Sequence, residues 1–348
     1  MNETKLFLMP DYFPDFSCKM GACRTVCCSG WQVSITLDNY FALLGTDCTM
    51  ELRRKMDCAL KPVDYPDEGK YAVIQPNYFG QCPLRLADGR CGVQAELGED
   101  ILPDICRLYP RGVRCFEDGY EISLANSCEA VPEMFLHREQ PITFVQMPWT
   151  MKLPPLPSEE LGAWKVRKAL IDQMQDRSAP LPCRLADIGE ITFSKLSEKT
   201  LVSMLDVLKE LCEHSDSIRP YGEKALAYLQ NGDVMEKYLA AKEHLETVLP
   251  DWQIFFEHLL VNHMFFTRYP FSERSLCGEE KFSALVMVYA LVRLLAIGYM
   301  AESEKEEELI DAVAAAFRLI SHTDFDRTAL YMLYQHLEKK DISRLLDM

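Results

Sequence analysis

Apolar residues recur at helical spacing over most of the chain beyond residue 158. Leu201, Met204, Leu205, Leu208, Leu211 and Cys212 fall at i, i+3, i+4, i+7, i+10 and i+11, the stripe of an amphipathic helix. Cys212 lies inside that stripe and reads as a core residue. Trp252, Phe255, Phe256, Leu259, Leu260, His263 and Met264 make a second stripe, with His258 on another side. A lone histidine on an apolar face is usually a satisfied core residue, so His263 is read that way rather than as a ligand. Ser158 followed by Glu159 and Glu160 predicts a helix start, because carboxylates favour the first turn. Asn231-Gly232 ends one helix and Pro250 another, and further helices are predicted around 282–300, 304–320 and 325–339.

The first part of the chain has a different pattern. Residues 31–37 alternate, with Trp31, Val33, Ile35 and Leu37 on one side, which predicts a half-buried strand. Asp38 then caps a helical stretch running to about Leu60, where Pro62 and Pro66 stop it. A second extended run covers 71–79, and 113–116 with 120–124 predicts a hairpin across Asp118-Gly119. From Pro141 to Pro157 proline is frequent and periodicity is lost, which places a domain boundary there. The expected fold is therefore mainly α: a small irregular α+β head over 1–140 and an all-helical body over 158–348.

Composition adds bounds to that outline. The 348 residues are 48% hydrophobic and 26% charged, as in an ordinary globular protein. The formal charge of −16 is spread along the chain, with 14 basic and 21 acidic side chains in residues 1–150, and no basic patch stands out. A phosphate backbone would be repelled, so nucleic acid is not expected as a partner. Met1 to Pro14 has no secretory pattern, which points to the cytoplasm. The apolar run Phe282 to Met300 is long enough to test as a membrane span, but it carries Arg293, and a buried helix with no membrane contact is the better reading.

Cysteine changes the picture most. Eleven of the 14 cysteines lie in the first 128 residues: Cys18, Cys23, Cys27, Cys28, Cys48, Cys58, Cys82, Cys91, Cys106, Cys115 and Cys128. In a reducing compartment a thiol-rich head of this kind binds metal more readily than it forms disulfides. Four cysteines within Cys18–Cys28 read as ligands for a soft metal, either zinc or an iron-sulfur cluster. The Asp88-Gly89 turn folds Cys82 and Cys91 toward each other, and prolines on both sides of Cys106 fix the backbone there. Cys48 and Cys58, ten residues apart, read as structural, and Cys115 as packing within a strand. No glycine-rich nucleotide loop, His-Glu-x-x-His or Gly-x-Ser-x-Gly occurs in the chain.

The pattern Cys18-x4-Cys23-x3-Cys27-Cys28-x-Gly30-Trp31, then Cys82-Pro, Gly89-x-Cys91, Pro103-x-x-Cys106-Arg107-x-Tyr109-Pro110 and Cys128, resembles a cysteine-rich zinc- or iron-chelating domain. More narrowly it resembles the flagellin lysine-N-methylases, which carry that domain before a helical body. The resemblance implies a methyltransferase that moves a methyl group from S-adenosylmethionine to surface lysines of flagellin, dependent on a [4Fe-4S] cluster. It also implies Cys18, Cys23, Cys27, Cys28, Cys82, Cys91, Cys106 and Cys128 as the metal-binding set. Eight thiolates exceed what one four-iron cluster takes, so two sites, zinc, a redox pair or packing must account for the rest. Nor do the thiols form the Cys-x-x-x-Cys-x-x-Cys pattern of most radical S-adenosylmethionine enzymes. Trp31, Tyr78, Tyr109 and Tyr120 are candidates for holding a sulfonium or desolvating a lysine, with core packing as the plain alternative for each. Arg107 and Arg111 would pair with the methyl donor's carboxylate or offset the charge of a thiolate-bound cluster. The alternative to an enzyme is a zinc- or iron-binding protein whose metal stabilises an interaction module.

Overall fold

A long helix that is apolar on every face has to be surrounded by others, and that fixes the centre of the body. The computed structural model of the chain describes residues 3–24, 27–28, 33–67, 69–78, 80–116, 119–153, 156, 158–159, 164–271 and 275–348. The fold is mainly α, with two small sheets. Contacts divide the chain into two units, one of Met1–Glu3, Ser17–Val113 and Met151–Leu156, the other of Thr4–Phe16, Arg114–Thr150 and Pro157–Met348.

In the larger unit the helix Gly278–Met300 is the central element, packed by the helices Arg219–Leu229, Val234–Val248, Glu306–His322 and Phe325–His336. It is long and apolar enough to cross a membrane by length and composition, and it is almost wholly buried in protein. Its one arginine, Arg293, stacks on Trp252 at 3.4 Å, ion-pairs Glu246 at 2.5 Å and donates Nε–H to the Met348 carbonyl at 2.7 Å, while its Nη1 has no hydrogen-bond partner among the described residues. The expected helices at 201–212 and 252–264 are present as Glu198–His214 and Trp252–Thr267, and Cys212 is buried in the first as its stripe predicts.

A five-stranded sheet accompanies these helices, in the order Phe144–Met151, Glu3–Pro10, Gly119–Leu124, Arg111–Phe116, Ser158–Glu159. Glu3–Pro10 pairs parallel with Gly119–Leu124, with Phe7 opposite Tyr120 and Leu8 opposite Glu121. Cys115 lies in a strand as expected, opposite Ser158 in another parallel pair. Two expectations fail here. Ser158 and Glu159 form a short strand rather than a helix start, and the first helix of the body runs from Trp164 to Met174. Residues 144–151 form an edge strand rather than an irregular linker; Pro148 is exposed on that edge, where a missing N–H costs little.

The smaller unit has its own core. The strand Val33–Ile35 pairs antiparallel with Ala72–Ile74, which also takes Leu60–Pro62, so that Leu60 and Val33 both stand opposite Ile74. Thr36 caps the helix Leu37–Gly45 by accepting from Asn39 N–H, and Thr49 caps a second helix, Met50–Ala59. The single helix expected from Asp38 to Leu60 is thus two, broken between Gly45 and Met50, where Thr49 caps the second. Ile35, Leu43, Leu52, Met56, Ala72, Leu84 and Val93 are among the buried residues of this core. Cys48 packs against it as expected, whereas Cys58 faces solvent. Trp31 and Gln32, the start of the expected first strand, lie outside the described residues.

This division departs from the expected 1–140 and 158–348. Residues 4–16 and 114–150 belong with the helical body, because their strands complete its sheet.

Candidate functional site

Two cysteine-bearing stretches of the smaller unit meet through glycines. Gly21, at φ 120°, and Gly89, at φ 88°, occupy the left-handed region that favours glycine. A Cβ on Gly89 would stand 2.7 Å from the Gly21 carbonyl oxygen, and one on Gly21 would stand 2.9 Å from the Arg90 nitrogen. The loop between Cys18 and Cys23 therefore lies directly on the turn between Cys82 and Cys91. That turn is held by Leu86 N–H on the Arg90 carbonyl at 2.8 Å and Gly89 N–H on the Leu86 carbonyl at 3.1 Å, with Arg85 bridged to Cys91. Cys82 N–H donates to the Cys28 carbonyl at 3.2 Å. Cys106 is set in the short helix Asp104–Leu108, whose first N–H donates to Asn39 Oδ1 at 2.9 Å.

These elements bring five thiols into mutual electrostatic reach: Cys27, Cys28, Cys82, Cys91 and Cys106. Cys28 is hydrogen bonded to both Cys27 and Cys82. The bond to Cys27 lowers its pKa, while the bond to Cys82, burial and the charges of Cys82 and Cys91 raise it, and the net result is about 12. Cys82 is lowered, first by its bond with Cys28. Burial raises Cys91, and burial followed by the charges of Cys91, Cys27 and Cys28 raises Cys106 well above the ordinary thiol range. Metal binding to such thiols requires their deprotonation, so any affinity of this group for a metal rises with pH. Among the described residues no three His, Cys, Asp or Glu already stand in ligand geometry. The donor set, thiol sulfur throughout, suits zinc or an iron-sulfur cluster.

Three other expected ligands are Cys18, Cys23 and Cys128. Cys18 is exposed, with its sulfur accepting from Met20 N–H at 3.4 Å, and Cys23 is half-buried in the same stretch. Cys128 belongs to the larger unit, just before the helix Ala130–Leu136, so the eight expected cysteines do not all fall in one unit. The structure also redirects Arg107. Its guanidinium is buried, ion-paired to Asp104 at 2.5 Å and donating to the Lys152 carbonyl at 2.6 Å, with Nε left without a hydrogen-bond partner among the described residues. Of the expected aromatics, Tyr78 is exposed, Tyr120 packs on Phe7 with 5.3 Å between ring centres, and Trp31 lies outside the described residues.

The larger unit holds a polar interior that periodicity did not reveal. It is strung along the helix Trp252–Thr267. Glu257 is fully buried and takes ion pairs from Arg177 at 2.8 Å and Arg184 at 2.5 Å. His258 is fully buried, with Nε2 on the Gln140 carbonyl at 3.0 Å, and burial lowers its pKa to about 4. Asn262 donates to the Leu124 carbonyl at 2.8 Å and accepts from the Tyr12 hydroxyl. His263, also buried, has its pKa lowered to about 4 by burial. Arg167 ion-pairs Glu121 at 2.6 Å with both side chains buried. A carboxylate or amide within an apolar stripe gave no signal except its own polarity.

Comparison with known proteins bears on the helical body. Residues 193–348 match the family model described as the FliB lysine N-methylase C-terminal domain. Over 131 residues, 37% of this chain, the sequence is 28% identical to a lysine-N-methylase of Salmonella typhimurium and to the flagellar biosynthetic protein FliU of Salmonella muenchen. The aligned part spans 32% of the first relative and 75% of the second. No solved structure matches. The match supports the lysine N-methylase family for residues 193–348, and the chain aligns with about a third of the length of the lysine-N-methylase that it matches.

Proposed function

We propose that the chain is a protein-lysine N-methyltransferase of the flagellin-modifying type, working in the cytoplasm with S-adenosylmethionine and dependent on a cysteine-bound metal centre. The observation that carries this reading is the match of residues 193–348 to the FliB C-terminal domain, in the same chain as a group of five coupled thiols. The transfer itself is a displacement. A neutral lysine amine forms its N–C bond as the methyl C–S bond breaks; the bonding pair stays on sulfur, giving S-adenosylhomocysteine, and the amine then loses a proton to a base. The protein's share is to desolvate the ammonium so that it loses its charge and to hold it in line with the methyl carbon. A chain of net charge −16 attracts a lysine-bearing surface over distance.

Cys27, Cys28, Cys82, Cys91 and Cys106 are the residues that would hold the metal, four of them sufficing for a four-iron cluster. When bound, such a cluster supplies an electron-transfer centre. The test is anaerobic purification, metal and sulfide analysis, then incubation with a flagellin and S-adenosylmethionine. Iron with sulfide, lysine methylation read by mass spectrometry, and loss of iron in Cys106→Ser are expected. If no methyl group is added where a known lysine-N-methylase adds one, the enzyme reading fails. Colourless protein with stoichiometric zinc would replace the cluster with a structural metal and favour the interaction-module alternative.

A further inference from the structure

Cys28 has thiol contacts on two sides, its sulfur hydrogen bonded to Cys27 and to Cys82. The two contacts differ in what they can become. Cys27 and Cys28 are consecutive, and consecutive Cα atoms stand about 3.8 Å apart, short of the roughly 4.4–6.8 Å that an unstrained disulfide spans. Cys82 meets Cys28 from a distant part of the chain. Its N–H donates to the Cys28 carbonyl at 3.2 Å, the kind of backbone bond that holds facing Cα atoms about 4.5–5.5 Å apart in paired strands. Sulfurs in contact and backbones at disulfide separation thus coincide at one pair.

The surroundings hold the pair in place. The Gly21 carbonyl lies against Gly89, so the two cysteine stretches are fixed to each other a second time. Leu84 N–H donates to the Cys82 sulfur and aims it. Cys28 and Cys82 both belong to the smaller unit and are half-buried, with Cys27 exposed beside Cys28, so a small molecule in solvent reaches the sulfurs.

We propose that Cys28 and Cys82 are a redox pair, joined in a reversible disulfide by a small peroxide, and that this bond closes the metal site. One thiol sulfur attacks a peroxide oxygen; the S–O bond forms as the O–O bond breaks, giving a sulfenic acid and water. The other sulfur then attacks the sulfenic sulfur. The S–S bond forms as the S–O bond breaks, and the hydroxide leaves with the second thiol's proton as water. The thiol pair supplies the two electrons that reduce the peroxide, and a dithiol reverses the bond by exchange. Oxidation withdraws two of the five convergent donors. Cys27, Cys91 and Cys106 are then too few for a four-iron cluster or a closed tetrahedral zinc site. That consequence rests on the metal-centre reading given above, whereas the disulfide itself does not.

The test treats the full chain, stripped of metal by a chelator, with one equivalent of hydrogen peroxide. Free thiols are then alkylated, and the chain is digested without reductant and read by mass spectrometry. A linked peptide pair carrying Cys28 and Cys82, lighter by two hydrogen atoms and separated by dithiothreitol, is expected. The oxidised chain should take up zinc, or iron with sulfide, about tenfold less than the reduced chain. Cys27→Ser should keep the link, and Cys82→Ser should lose it. Alkylated, unlinked Cys28 and Cys82 after oxidation, or a link that forms only in urea, overturns the proposal. A link that leaves metal uptake unchanged keeps the redox pair but overturns the closing of the site. A link with reduced uptake in a chain that methylates no flagellin supports the proposal and removes the methylase reading alone.

Discussion

At the scale of single residues, the meeting of Gly21 and Gly89 decides whether the cysteine stretches can approach. Gly89→Ala adds a methyl group 2.7 Å from a backbone carbonyl at a φ that L residues avoid, so it should destabilise the smaller unit by more than about 1 kcal/mol. A lower melting temperature together with less metal per chain is the expected result. The buried histidines give a second residue-level prediction. His258 and His263 both titrate near 4 in the folded chain against 6.5 unfolded, so the unfolded state takes up protons first as pH falls. Their contribution is complete above pH 6.5 and is lost as pH falls toward 4, by up to about 1.4 kcal/mol per pH unit for each group. Urea unfolding between pH 7 and 4.5 should show this slope, and His258→Gln should reduce it by one proton's worth. The thiols were legible in the sequence because four within eleven residues cannot all be packing. Which of them converge was not, since Cys106 reaches Cys91, Cys27 and Cys28 only through the fold.

At the scale of elements, the body's helices were read correctly wherever one face carried the apolar residues, as in Glu198–His214. Strands were harder. Phe144–Met151 alternates Met147, Trp149 and Met151 with Gln146, Pro148 and Thr150, but the proline reads as a strand breaker, and Ser158–Glu159 is too short to carry a pattern. What joins these elements can be tested. Arg167, from the first helix of the body, and Glu121, from the sheet, form a pair with almost no exposed surface. Breaking it from one side, in Glu121→Gln or Arg167→Met, leaves a buried charge and should cost about 3–5 kcal/mol, whereas an apolar replacement of both should cost much less. A double-mutant cycle in chemical denaturation measures the difference. Close helix contact gives a comparable test: a Cβ on Gly298 would stand 2.7 Å from Ala225 and 2.8 Å from Leu229. Gly298→Val should therefore force the helices Arg219–Leu229 and Gly278–Met300 apart and lower stability by about 1–3 kcal/mol.

At the scale of the whole molecule, the sequence showed a thiol-rich part and a helical part, and it located the helical body. It could not show that the larger unit is discontinuous, because pairing between distant strands leaves no local pattern. A fragment of 158–348 should not fold as the body does in the full chain. It would leave Arg167 without Glu121 and Asn262 without Tyr12 and the Leu124 carbonyl. Exposed apolar surface, read by dye binding and by loss of a cooperative melt, is the expected outcome, while a fragment that melts cooperatively at the parental temperature would contradict this division. The same discontinuity bears on how the chain is made. The strand holding Phe7 leaves the ribosome long before its parallel partner at Tyr120 exists, and at about 5–20 residues per second the interval is on the order of ten seconds. During that wait the nascent strand has no partner, while residues 17–113 emerge and can close a core of their own. The order of synthesis thus lets the core of the smaller unit close before the sheet that anchors the helical body is finished.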